Sequence, residues 1–190
     1  MIWINAGGLR TATKVLFQLA ELRMEPGAKP VSLVTPNGEP PLLVELREHL
    51  RACLELCDTL EQIADQLPEN IECSKCVEVA GSIYPTVKQS HEFEEKSLFP
   101  LLTDNCESDE ETKITIQRLH AEHWEDESFA FEVQDALMEF ASNPKQSNVE
   151  ALAYMLRGFF EGVRRHVAFE WEHVVPAVRR NLTGGAAANA

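Results

Sequence analysis

The stretch His91-Glu-Phe-Glu-Glu95-Lys-Ser-Leu-Phe-Pro100 has a counterpart further along the chain, His166-Val-Ala-Phe-Glu170-Trp-Glu-His-Val-Val-Pro176. In each, a glutamate follows a histidine by four residues, and apolar residues and a proline come after. Residues four apart on a helix lie on one face, one turn apart, so each pair can grip a single ion. Two such pairs predict a metal site between helices, whose other walls the remaining helices should supply.

Four helical patterns surround these pairs. The first spans about Leu42 to Leu67, with apolar residues at 42, 46, 50, 53, 56, 60 and 63, and Pro68 ends it. The second spans about Glu72 to Leu102 and contains Pro85, which predicts a kink or break. The third follows the cap-like run Ser108-Asp-Glu-Glu and continues to about Ala141. Ser142-Asn-Pro-Lys makes a turn, and the fourth runs from about Val149 to Val178, with Pro176 close to its end. Long amphipathic helices joined by short loops predict an all-α, up-down-up-down four-helix bundle over residues 41–180. Residues 1–40 read as an irregular N-terminal extension with one possible helix at Thr11–Arg23, since Pro26, Gly27, Pro30, Pro36, Gly38 and Pro40 punctuate the rest. Residues 181–190, Asn-Leu-Thr-Gly-Gly-Ala-Ala-Ala-Asn-Ala, read as a disordered tail.

Positions seven apart occupy nearly one side of a bundle helix. His49 shares a line with Leu42, Leu56 and Ile63; His91 with Val77, Tyr84 and Leu98; His123 with Ile116, Ala130 and Leu137. His166 shares one with Leu152 and Phe159, and Glu170 with Leu156, Val163 and Ala177. The third helix offers a second, less favoured candidate ligand, His120, which shares its line with Lys113, Glu127 and Gln134, so His123 is the inward one. Antiparallel neighbours bring to one level the residues equidistant from their connecting loop. His49 and His91 are symmetric about residue 70, His123 and His166 about 144.5, and residue 93 and His123 about 108, each inside a loop. At a rise of about 1.5 Å per residue, all four helices bring their groups to one layer within roughly a turn.

Four imidazoles at one level, with Glu95 and Glu170 beside them, need partners that an apolar core cannot supply. A set of imidazoles and carboxylates without thiolate suits iron first, with manganese or zinc behind, and six groups suit two ions bridged by a glutamate.

The same residues resemble the hemerythrin-like HHE cation-binding domain. His49, His91-Glu92-x-x-Glu95 with Leu98-Phe99-Pro100, Glu122-His123 and His166-x-x-x-Glu170 carry the resemblance, over about residues 41–178. It implies a four-helix bundle holding two non-haem irons, bridged by carboxylate and a solvent-derived oxygen. It also implies His49, His91, Glu95, His123, His166 and Glu170 as ligands; Glu92 matches a position that ligates in some members. Oxygen-carrying hemerythrins have His-x-x-x-His on the third helix where this chain has His120-x-x-His123. They have an aspartate ligand where this chain has Trp171. The chain is therefore similar to the glutamate-rich branch, whose roles include iron or oxygen sensing, nitric-oxide response and iron–sulfur repair.

Composition narrows the partners. The net charge of −14 argues against nucleic acid and anionic membranes, and no apolar run approaches the length of a membrane span. The N-terminus, interrupted by Arg10 and Lys14, shows no signal-peptide core, so the expected compartment is the cytoplasm, with cysteines 53, 57, 73, 76 and 106 reduced. Cys73-x-x-Cys76 has no second such pair and reads as free thiols; Cys53 and Cys57 read as core packing. His173 reads as partly exposed, and Trp124 and Trp171 as packing. Two functions compete: a protein that binds or senses O2, NO, iron or redox state at a di-iron centre, and a di-iron oxidoreductase turning over peroxide, NO or Fe(II). The enzyme would need proton donors beside the metal, for which Glu92, His120 and Tyr84 are candidates. The third reading is a metal-free helical interaction module.

Overall fold

A computed structural model describes residues 39–69, 71–103 and 110–187, with side chains to residue 182. The possible helix at 11–23, the cap-like Ser108, Cys106 and residues 188–190 lie outside the described residues. Four long helical rods form the bundle, and no strand occurs among the described residues. Helix α1 is Pro41–Gln66; the second rod comprises α2 (Cys73–Phe93), a π-helical turn (Glu94–Leu98) and α3 (Phe99–Thr103); the third is α4 (Glu110–Ser142); the fourth is α5 (Val149–Ala187). Around the square, α1 packs on α2 and α5, and α4 packs on the same two, so chain neighbours are spatial neighbours.

Local chemistry explains most boundaries. Pro41 occupies the first turn of α1, where a missing N–H costs nothing. Pro68 forces Leu67 into an extended backbone, ψ 140°, and so stops α1. Asn148 caps α5 through its Oδ1, which accepts the Ala151 N–H at 3.1 Å.

Two prolines do less than the sequence suggests. Pro85 leaves α2 unbroken, and α5 runs through Pro176 as far as Ala187. Each proline frees the carbonyl four residues earlier, those of Gly81 and Glu172, and both residues are exposed, so water can satisfy the freed groups. The stretch from 181 to 187, expected as tail, is therefore helical. Its base is fastened where the Asn181 amide donates to the Leu101 carbonyl at 3.2 Å and Leu182 packs on the core.

The core stripe of α1 is Leu43, Leu46, Leu50, Cys53, Cys57, Leu60 and Ala64, alternating steps of three and four. From α4 come Ile116, Leu119, Ala130, Val133, Leu137 and Phe140, and from α5 Leu152, Leu156, Phe159, Phe160, Val163 and Val167. Half-buried Arg164 and exposed Arg157 tie α5 to α1 through Asp58, Glu61 and Asp65 at 2.6–2.8 Å, pairs worth little where water reaches them. Burial dominates stability. Leu137→Ala should therefore cost about 2–5 kcal/mol in chemical denaturation. Fourteen residues, about 21 Å along α4, separate it from His123, so the same variant should still load metal. No described helix is long and apolar enough to cross a membrane.

Candidate metal centre

Five charged or titratable side chains are buried at one level of this core: His91, Glu94, His123, His166 and Glu170, none more than 7% exposed. His91 and Glu94 come from the second rod, His123 from the middle of α4, His166 and Glu170 from one face of α5. The π turn determines what the second rod presents. Its buried positions repeat every seven residues along Cys76, Ile83 and Ser90 and along Ala80, Val87 and Glu94. Beyond Glu94 the step becomes eight, to Leu98 and Leu102. The extra residue is absorbed where the Phe99 N–H reaches the Glu94 carbonyl five residues back, an insertion that often marks functional sites. Glu94 thus ends the inward line, and Glu95 is left on the rim.

Each buried histidine has its Nδ1 held by a carboxylate. His91 Nδ1 donates to Glu127 Oε1 at 3.2 Å, His123 Nδ1 to Glu95 Oε1 at 2.9 Å, and His166 Nδ1 to Glu122 Oε2 at 3.1 Å. An ionised carboxylate only accepts, so Nδ1 carries a proton in each ring and Nε2 is the nitrogen left to face a ligand. Each carboxylate is anchored nearer the surface: Glu127 by Lys88 at 2.9 Å, Glu122 by Arg118 at 2.5 Å, Glu95 by His120 at 3.3 Å. Such outer carboxylates orient metal-binding imidazoles and raise their basicity.

Inside, the polar atoms lack hydrogen-bonding partners. His123 Nε2 faces Glu94 Oε2 at 3.1 Å and His166 Nε2 faces Glu170 Oε1 at 3.4 Å, without hydrogen-bond alignment. Glu170 Oε2 is equally buried and unpartnered, while Glu94 Oε1 accepts from Ser90 Oγ at 3.0 Å. The His91 and His123 rings stack with centroids 3.9 Å apart, and His166 tilts against both at 5.5 and 5.3 Å.

Burial and mutual charge set the protonation states. Burial, reinforced by His123 and His166, pushes His91 down to about 2, so its ring is neutral. Burial also depresses His123, but the Glu94 and Glu95 carboxylates outweigh it and raise the group overall. Glu94 is held below the usual carboxylate range by His123 and Glu170 despite its burial. Glu170 is pushed well above that range by burial and then by the Glu94 charge.

Orphaned buried carboxylates and imidazoles at one point fit a cation, which would partner all of them at once. Before binding, protons occupy the raised groups, Glu170 and His123. Metal uptake near neutral pH should therefore release protons, and affinity should rise with pH. Calorimetry in buffers of different ionisation enthalpy checks the release; uptake without it would contradict these protonation states.

A family model, the hemerythrin HHE cation-binding domain, matches residues 42–178. The chain belongs to that family. Neither the comparison with curated proteins nor that with solved structures gave a match. A hemerythrin-like bundle with a buried His/Glu cluster is a metal-binding protein, and the two groups of donors within reach of one ion are His91, His123, His166 and Glu94, His123, His166, Glu170.

Of the residues that spacing singles out, the structure brings His91, His123, His166 and Glu170 together. Glu95 sits at the rim between His123 and His120. His49 is half-buried and stacks on Phe93 with centroids 4.9 Å apart. Level symmetry sets its height, but it lies beside the Leu46–Leu50–Cys53 stripe rather than on it. Glu92 pairs with Lys96 at 2.6 Å on the surface, and His120 and His173 are exposed. Cys53 contributes a thiol to the α1 wall, hydrogen-bonded to Ser90, and burial pushes it up to about 12, so it stays protonated. Cys57 and Cys76 are buried free thiols, and Trp124 and Trp171 are exposed rather than packed. Spacing alone did not select Glu94, although the line Ala80–Val87–Glu94 was legible. Of the outer carboxylates, Glu122 entered only as part of the Glu122-His123 motif and Glu127 only as a neighbour on the outward line of His120.

Proposed function

We propose that this is a non-haem iron protein that binds a small ligand, dioxygen or nitric oxide, at the buried cluster and thereby senses it. The observation that carries the reading is the set of orphaned donors converging from three of the four rods. Imidazole and carboxylate donors without thiolate favour iron, with manganese or zinc as substitutes. Ferrous iron there would supply the electrons that bind such ligands. The family resemblance implies a pair of irons, both of which these side chains would have to hold. The protein's own groups do the rest. Glu95, Glu122 and Glu127 hold the three imidazoles in one tautomer, Lys88 and Arg118 offset two of those charges, and Phe99, stacked at 5.6 Å on His123, screens the cluster from water.

One observation favours an oxidoreductase acting on peroxide, NO or Fe(II), or in iron–sulfur repair, as the second reading. His120, Glu95 and His123 form a hydrogen-bonded chain from the surface to the buried cluster, a route by which protons can reach reacting groups.

Anaerobic Fe(II) loading, metal analysis and optical spectra with and without NO test the proposal. The expected result is bound iron and an NO-dependent absorption change. His166→Ala and Glu170→Ala should lower bound metal, whereas His120→Ala and His173→Ala should leave most of it. A folded protein that stays metal-free would refute the proposal. Peroxide or NO turnover above an iron-free control would select the enzyme.

A further inference from the structure

We infer that the cluster is built to hold one divalent ion per chain rather than the pair that its family resemblance implies. The inference rests on the metal-binding reading and concerns how many ions these side chains can satisfy.

The donors are few because many polar atoms are already committed. Each of His91, His123 and His166 has spent Nδ1 on an outer carboxylate and offers one nitrogen. Glu94 has spent Oε1 on Ser90 and offers Oε2, and Glu170 offers both oxygens. The two nitrogens and three oxygens of His123, His166, Glu94 and Glu170 by themselves fill the sphere of one first-row ion, which takes about four to six donors. Divided between two ions they leave each half-dressed.

The spread of the donors agrees. One atom each from Glu94, His123, His166 and Glu170 all lie within 4.8 Å of one another, while His91 shares that reach with His123 and His166 but not jointly with the two glutamates. Ligands on opposite sides of one ion, at bonds of about 2.1 Å, are about 4.2 Å apart. Two ions about 3.5–4 Å apart need outer donors nearly 8 Å apart. Charge points the same way. Glu94 and Glu170 are the only fully buried carboxylates among the described residues, and together they neutralise one divalent ion. A second would leave an uncompensated double charge in an apolar core.

The fourth wall is closed to a second ion. The α1 stripe beside the cluster is Leu46, Leu50 and Cys53, and the imidazole that could have dressed another ion, His49, is stacked on Phe93.

Titration of the metal-free full chain with Mn(II), followed by electron paramagnetic resonance and metal analysis, tests this. Fe(II) loading is run in parallel. The expected result is saturation at one ion per chain with the six-line signal of an isolated Mn(II). His49→Ala should keep that stoichiometry, and Glu94→Gln should weaken binding by well over about 100-fold, beyond the roughly 10–100-fold expected of an outer partner. Saturation at two ions with a spin-coupled signal, or loss of metal in His49→Ala, overturns the single-ion inference while leaving the metal-binding reading intact. A folded wild-type chain that takes up no metal overturns the reading itself. If Glu94→Gln does not fold, stoichiometry and the His49→Ala variant still decide.

Discussion

Glu170→Gln should abolish tight metal binding and at the same time leave the metal-free protein as stable as wild type or more so. Glu170 is fully buried beside Glu94, and its carboxyl is pushed well above the usual range by burial and by that neighbour. Glutamine copies the shape of the neutral acid without a charge to desolvate. The sign of the pH dependence follows from the raised value. The unfolded chain releases this proton near 4.5, the folded chain only at higher pH, so the stabilising effect of the bound proton is complete below 4.5. It is lost as pH rises through the folded value. Metal-free wild type should therefore weaken between about pH 5 and pH 8, while Glu170→Gln should show much less of that decline. At pH 8 the variant should be about 1–3 kcal/mol more stable, the scale seen when buried charge is removed. Urea unfolding at the two pH values, with a chelator present, measures it. A loss of more than 2 kcal/mol at both pH values would show that the carboxyl has a structural partner instead. A stability cost built into the unfilled site is what a binding function leads one to expect.

His123→Ala should do the opposite to the metal-free protein while also losing the metal. His123 belongs to both donor groups, and it sits between Glu94 Oε2 at 3.1 Å and Glu95 Oε1 at 2.9 Å. Those carboxylates raise it against the pull of burial, so the folded state favours the charged ring. Its contribution is complete below about 6.5 and is lost as pH rises through the folded value. Removing it at pH 6 leaves Glu94 uncompensated in the core and takes away the ring stacked 3.9 Å on His91. The cost should be about 3–5 kcal/mol, as for breaking a buried pair from one side. At pH 9 the penalty should shrink. His120→Ala, at an exposed position, should change stability by less than about 1 kcal/mol at either pH. Equal losses from the two variants would place His123 outside the buried network.

The two variants separate the roles that sequence spacing had merged. His91, Glu95, His123, His166 and Glu170 all lie at one height along the bundle, and the loop symmetry that predicts this depends only on rise per residue and short connections. Rotation about each helix axis is a finer matter. His49 lies at the right height, yet the centre of α1's buried stripe passes through Leu46, Leu50 and Cys53, and His49 falls to one side against Phe93. Glu95 follows His91 by one ideal turn, yet the π turn brings Glu94 inward.

Helical periodicity, proline and cap positions, and the family pattern are local and repetitive, so the sequence by itself determined four helices, their order and the layer in which histidines meet. It also determined His123 over His120, because the two differ by about 60° around the helix axis and their seven-residue neighbours differ in polarity. What only the tertiary structure decided is which glutamate points inward, which imidazole is set aside, and how each Nδ1 finds its carboxylate. Those depend on how one residue is absorbed in a turn and on which side chain of a neighbouring helix fills the adjacent space. They also decide how many donor atoms are left for metal. A seven-residue pattern carries no record of either.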